Sequence, residues 1–222
     1  MESEMWRMAP TGVSIHTARM RMSGADLEAH EKLHREKRYL DAADDLATAE
    51  VDVIVYGCTS GSFFTGLEGE KRITAELKGR VKQPVITASR AVVDAINALK
   101  AKNLTVATPY PKEIDELERK FLEDSGFSVL RIAGLEIVDG REIGRQPSSV
   151  SYRLAKKSFT PEADLIFISC TNFSSADIIE ILENDLGRPV VTSTQACMWA
   201  ALREINVGGS VVGYGRLLRE HL

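Results

Sequence analysis

One chemical unit occurs twice in this chain. Val51-Asp52-Val53-Ile54-Val55-Tyr56-Gly57-Cys58-Thr59 returns as Ala163-Asp164-Leu165-Ile166-Phe167-Ile168-Ser169-Cys170-Thr171. Each copy is an apolar run of strand length ending in Cys-Thr, and the two cysteines stand 112 residues apart. A free thiol with a pKa of about 8.5 is mostly protonated at neutral pH, and hydrogen-bond donors or a helix N-terminus beside it raise its thiolate fraction. The unpaired backbone N–H groups of a strand-to-helix turn also bind carboxylates. Thr59 and Ser60 after the first cysteine, and Thr171 and Asn172 after the second, add side-chain donors. Each copy could therefore hold one carboxylate beside one thiol, which suits a small dicarboxylate worked on from both faces. A lone cysteine after an apolar strand is more often a buried small hydrophobe, and Thr, Ser and Asn at such turns usually cap helices. Repetition in register turns the reading toward chemistry for both thiols, whereas Cys197, beside Met198 and Trp199 in a helical pattern, reads as packing.

The elements that must carry these residues also repeat. Pro84-Val85-Ile86-Thr87-Ala88-Ser89-Arg90-Ala91 is answered by Pro189-Val190-Val191-Thr192-Ser193-Thr194-Gln195-Ala196, each running into a helical pattern. Strand-length apolar runs alternate with helical patterns throughout, the signature of an α/β fold with parallel sheets. Strands are expected at 12–19, 51–56, 85–87, 104–108, 127–132, 163–168 and 190–192. Helices are expected at 26–49, within 62–78, and at 90–101, 111–124, 148–158, 176–186 and 195–205. Pro111 in a first turn and Gly126 and Gly187 just past two helix ends stand where such residues are favoured. A glycine-bearing loop at 134–146 and a glycine-rich closing segment at 208–215 complete the pattern. The repeat places a half-domain boundary near Asn103, giving a first half at 1–102, completed by 207–222, and a second at 103–206.

Composition narrows the function classes. With 222 residues, 44% of them hydrophobic and 27% charged, the chain is long enough for one large or two small domains. No segment approaches the roughly 20 apolar residues of a membrane span, and a secretory signal pattern is lacking, so the expected address is the cytoplasm. A net charge of −4 without a dense basic block argues against nucleic acid as a ligand. Three cysteines form no disulfide framework, and without Cys-x-x-Cys no metal site is expected. His30 and His34 are four apart, a spacing metals exploit, but on a charged stretch they read as a solvated face. Gly57, Gly61 and Gly66 do not form a nucleotide-binding loop.

Tyr56-Gly57-Cys58-Thr59-Ser60-Gly61-Ser62-Phe63-Phe64, Thr108-Pro109-Tyr110, Ser169-Cys170-Thr171-Asn172-Phe173 and Pro189-Val190-Val191-Thr192-Ser193 together resemble the aspartate/glutamate racemase superfamily. Within it the chain is most similar to the group of maleate cis-trans isomerase and arylmalonate decarboxylase, over nearly its whole length. The resemblance implies two Rossmann-like, flavodoxin-like half-domains related by a pseudo-twofold axis, and a site between them that needs no cofactor or metal. It also implies frequent homo-oligomers, and it gives Tyr110 the role of phenol donor to a substrate carboxylate. Members usually begin with an additional strand and a Pro-Ser-Ser-Asn-like turn, ahead of the segment that here starts at Glu2. Without them, an incompletely covered sheet edge or groove is expected in the first half, open near Cys58.

Having two thiols discriminates among the group's reactions. Decarboxylase members carry glycine where Cys58 stands, so Cys58 argues against one-proton decarboxylation. In the isomerases the first cysteine adds to the alkene, rotation follows in a succinyl-thioether-like intermediate, and elimination gives the trans acid. In the racemases one thiolate removes the α-proton and the opposite thiol delivers another. The expectation is a cysteine-based isomerase of a small dicarboxylate, with Cys58 and Cys170 catalytic and Thr59, Ser60, Tyr110, Thr171 and Asn172 binding substrate. The alternatives are a decarboxylase or racemase using the same cleft, or a non-catalytic carboxylate-binding protein.

Overall fold

The structure, a computed structural model, describes residues 1–22 and 24–222. In chain order the elements are α1 Glu2–Met8, α2 Leu27–Glu36, α3 Arg38–Ala47, β1 Ile54–Tyr56, α4 Thr59–Phe63, α5 Gly66–Lys78, β2 Val85–Thr87 and α6 Ala88–Ala98. There follow β3 Asn103–Ala107, α7 Lys112–Asp124, β4 Ser128–Ala133, α8 Gly140–Arg145, α9 Ser148–Ser158 and β5 Leu165–Ile168. A 3-10 turn at Ala176–Ile178, α10 Ile179–Leu186, β6 Val190–Thr192, α11 Ser193–Glu204 and α12 Gly215–Glu220 close the chain.

All strand pairs are parallel, and they form two sheets. β1 pairs with β2, with Ile54 opposite Val85 and Tyr56 opposite Thr87. The second sheet has the order β4-β3-β5-β6. Its strand order reverses between β3 and β5, and ligands of open α/β sheets bind beyond the carboxyl ends of strands at such a switch point. Tyr110 follows β3 and Cys170 follows β5, so the switch point has one expected site residue on each side.

β5 is buried throughout, as a central parallel strand must be. Leu104, Val106, Leu165, Phe167, Val190 and Val191 form the middle of the main core, which α6 and α11 extend by packing against each other through Ala91, Ala95, Ala196 and neighbouring side chains. Both helices begin at a threonine whose side chain accepts from the N3 backbone, Thr87 for α6 and Thr192 for α11. Gln195 completes a capping box at α11. A second, smaller core unites Leu33, Tyr39, Ala43, Ile54, Tyr56, Ile73 and Leu77. The helix α12 in the closing segment 207–222 packs on α10, α11 and β6.

Several sequence expectations are corrected. Residues 12–19, expected as a strand, form none. The single helix expected at 26–49 is two, because Lys37 adopts a left-handed φ of 51° that redirects the chain. Lys37 Nζ and the Tyr39 hydroxyl both donate to Glu76, each at 2.7 Å, which ties the redirected α3 to α5. The helix expected within 62–78 is present as α5, with the short α4 ahead of it, and the loop expected at 134–146 contains the short α8. His30 and His34 share a face, but it is not solvated. His30 is fully buried, and both rings stack on Phe64, at 4.9 and 5.4 Å between centroids.

Candidate active site

Cys58 is the N-cap residue of α4, which the chain enters straight from the end of β1. The Gly61 N–H and the Ser60 hydroxyl lie beside its sulfur and favour the thiolate. Gly61 is required for that approach: a Cβ there would stand 2.9 Å from Cys58 Sγ and 2.6 Å from Tyr56 Oη. On its other side Cys58 Sγ contacts Met22 Sδ at 3.7 Å.

Cys170 follows β5 in a left-handed conformation, φ 84°, which an L-residue holds only under constraint. Four successive residues supply that constraint through non-local hydrogen bonds. Ser169 Oγ donates to Glu118, Cys170 N donates to Ser193 Oγ at 3.1 Å, Thr171 Oγ1 donates to Gly57 O at 2.8 Å, and Asn172 Nδ2 donates to Gly140 O at 2.6 Å. The Thr171 bond joins the neighbour of one cysteine to the neighbour of the other, so the two turns meet. A charge on Cys58 opposes ionisation of Cys170, which again puts the thiols near one another.

Both cysteines and Tyr110 line one cleft of about 1270 Å³, together with Thr59, Ser60, Thr171 and Asn172. The cleft exceeds what a four-carbon diacid needs. Its far end runs along β1 between residues 12–20 and α3, on the side where β1 has no strand partner among the described residues.

The expected site residues divide by what their polar atoms are doing. Tyr110 is 1% exposed and its hydroxyl makes no hydrogen bond of good geometry, although it lies near enough to Ser169 and Cys170 to influence ionisation. The Thr59 hydroxyl is buried and equally unpartnered. These two are free donors at the cleft. Thr171 and Asn172, by contrast, spend their side chains holding the cleft together, one on the turn of Cys58 and one on α8.

Burial decides the thiol chemistry. It pushes the Cys58 thiol above its ordinary pKa in spite of Gly61 and Ser60. It takes Cys170 up to about 11, against the Asn172 N–H and the Tyr110 hydroxyl. The donors expected from the sequence are present, yet they do not outweigh desolvation, and both thiols are protonated at neutral pH. Cys197 is wholly buried inside α11 and pushed up to about 12, so it packs and does not face the cleft. Among the described residues no cluster of three or more His, Cys, Asp or Glu side chains could hold a metal, and no helix is long and apolar enough to cross a membrane.

Sequence reasoning missed Met22, Gly61 and Glu118. Met22 lies in an irregular segment without a periodic signal. Glu118 left a trace, since it stands four residues after Ile114 and three before Phe121, on the apolar stripe of α7.

The family model for arylmalonate decarboxylase matches residues 17–218. The maleate isomerase of Pseudomonas putida KT2440 is 29% identical over 215 residues, spanning 94% of this chain and 85% of the relative. The maleate cis-trans isomerase of Nocardia farcinica, solved bound to TRIS, superposes with a TM-score of 0.92 at 25% identity, covering 99% of this chain and 91% of that one. A variant of the maleate isomerase Iso from Pseudomonas putida S16, solved with maleate, gives 0.87 at 26% identity, with 97% and 88% covered. With this match, this architecture and a two-thiol cleft at the switch point, the chain belongs to the arylmalonate decarboxylase family, in the maleate isomerase and arylmalonate decarboxylase group of the aspartate/glutamate racemase superfamily.

Proposed function

We propose that this protein is a cofactor-independent isomerase that converts maleate to fumarate, with Cys58 as nucleophile and Cys170 as the opposing acid/base. The observation that carries the reading is the pair of thiols lining one cleft, with their turns joined by the Thr171–Gly57 hydrogen bond. Its relatives named maleate isomerase, one of them solved with maleate, support the choice of substrate.

The chemistry follows from the residues. The Cys58 thiol gives up its proton to solvent water, its sulfur forms a C–S bond to one alkene carbon, and the π electrons pass to the neighbouring carbon as an enediolate of its carboxylate. Donors from Tyr110 and Thr59, unpaired within the protein, stabilise that charge as an oxyanion hole does. Cys170 gives its proton to the carbanionic carbon, rotation occurs about the resulting single bond, and Cys170 takes a proton back as the C–S bond breaks. The product is the trans acid; Cys58 leaves as a thiolate and regains its proton from solvent, so both thiols end in their starting states.

Following the vinyl proton resonances of maleate and fumarate with purified protein tests the proposal. We expect conversion by the wild type, less than a thousandth of it in Cys58→Ala, and nearly full conversion in Cys197→Ala. Undiminished turnover by Cys58→Ala would remove the nucleophile. The family match itself favours one second reading, decarboxylation of an arylmalonate, and release of carbon dioxide from phenylmalonate with maleate left untouched would select it.

A further inference from the structure

α7 places a carboxyl group where the hydrophobic core would accept an apolar side chain. Glu118 is 1% exposed, one turn after Ile114 and one turn before Phe121 and Leu122, all of them buried. Its Oε1 accepts from the Ser169 hydroxyl, and its Oε2 has no partner. Replacing a buried acid by an apolar residue of similar volume is often neutral or stabilising. Glu118 is thus costly where it stands, and its one hydrogen-bond partner is the residue that precedes Cys170.

We propose that Glu118 is a positioning residue: by holding Ser169 it sets the left-handed turn from which Cys170 presents its thiol to the substrate. This rests on the reading of Cys170 as the acid/base. Ser169 and Cys170 are pinned from opposite directions, by Glu118 from α7 and by Ser193 Oγ from the start of α11. With either pin removed, the constraint on φ 84° weakens and the turn is freer to relax toward an ordinary conformation.

The groups facing Glu118 are the Ser169 hydroxyl, the carboxyl of Asp115 on its own helix, and the Tyr110 phenol beyond β3, with Cys170 past Ser169. No cation is among them. Arg119, next in the chain, turns away to donate to Val129 O at 2.6 Å. Burial holds the Glu118 carboxyl well above the usual carboxylate range, and the nearby Asp115 carboxyl adds to this, which favours its neutral form. Neutrality also keeps an extra negative charge away from a dianionic substrate. A neutral amide should therefore replace it.

The test compares Glu118→Gln, Glu118→Ala and Ser169→Ala in the full chain, with two readouts. The first is kcat and KM for maleate. The second, which needs no substrate, is the rate of iodoacetamide alkylation at Cys170 relative to Cys58, read by peptide mass spectrometry. Glu118→Ala and Ser169→Ala should each lower kcat at least tenfold with KM within twofold, and should raise the Cys170:Cys58 alkylation ratio at least threefold. Glu118→Gln should restore both toward wild type. A wild-type kcat and alkylation ratio in Glu118→Ala, or a Glu118→Gln as impaired as Glu118→Ala, would overturn the proposal. Should Glu118→Ala fail to fold, Ser169→Ala cuts the same link from the other side and decides the matter. If the wild type leaves maleate unchanged, the isomerase reading fails, and the alkylation ratio still decides the role of Glu118.

Discussion

Replacing Cys170 by glycine is expected to give a more stable protein than replacing it by alanine, and at Cys58 the order should reverse. Both substitutions remove the thiol, so the comparison isolates the backbone. Cys170 sits at φ 84°, whereas Cys58 has an ordinary extended conformation at φ −132°, ψ 103°. A left-handed conformation costs an L-residue about 1–2 kcal/mol, which alanine bears and glycine does not. Glycine carries its own penalty of about 0.4–1 kcal/mol, through the greater freedom of the unfolded chain. At position 170 the net should favour glycine by about 1 kcal/mol, roughly 2–4 °C in Tm for a chain of this length. At position 58 only the entropic penalty acts, and alanine should lead by about 0.4–1 kcal/mol. Subtracting one difference from the other cancels the entropy and leaves the strain, about 1–2 kcal/mol. Thermal unfolding of the four variants followed by circular dichroism measures this, and none of them needs to be active. If glycine trails alanine by the same margin at both positions, Cys170 is not strained and the clamp of hydrogen bonds around it has no work to do.

Three further outcomes are expected. Gly61→Ala puts a methyl group 2.9 Å from Cys58 Sγ and should lower kcat/KM for maleate at least tenfold; wild-type kinetics in this variant would mean that the Gly61 N–H does not serve the sulfur. Because burial raises the Cys58 pKa, kcat/KM should climb with pH through 7 to 9, and a plateau already reached at pH 7 would contradict a protonated resting thiol. Burial, the largest cause, lowers the pKa of both His30 and His34 below 6.5, so the unfolded chain binds more protons than the folded one as the pH falls under that value. Folded stability should therefore be full above about pH 6.5 and decline as acid drives protonation toward the folded-state values; His30→Leu should flatten the decline, and an unchanged slope in urea titrations from pH 7 to 5 would refute the assignment.

The α/β architecture and both cysteine turns were legible because each rests on a local pattern: an apolar run, a Cys-Thr end, a helix that begins at Thr87 or Thr192. Those signals are carried by neighbours in the chain. What escaped is set by contacts between distant segments. Lys37 gives no glycine-like warning of its left-handed turn, since its conformation is held by Glu76 from α5. Residues 13–19 have strand-like alternation, yet they pair with no strand and border the cleft. Thr171 and Asn172 have the composition of carboxylate ligands, and only the fold reveals that Gly57 O and Gly140 O occupy their donors.

The two thiols rest on unequal foundations. Cys170 belongs to the turn behind a central strand of the main core, while Cys58 packs on the smaller cluster, where nine buried side chains support α2, α3, β1, α5 and β2. Domains open in contiguous units, and a unit with little buried apolar contact opens at lower free energy than the whole. The proposed nucleophile is thus expected to open with the smaller portion, ahead of the rest. In a denaturant series, turnover should vanish, and alkylation of Cys58 should accelerate, before the far-UV signal reaches its midpoint. A diacid spanning both turns would bind only when that portion is docked, and by mass action it would draw the two transitions together.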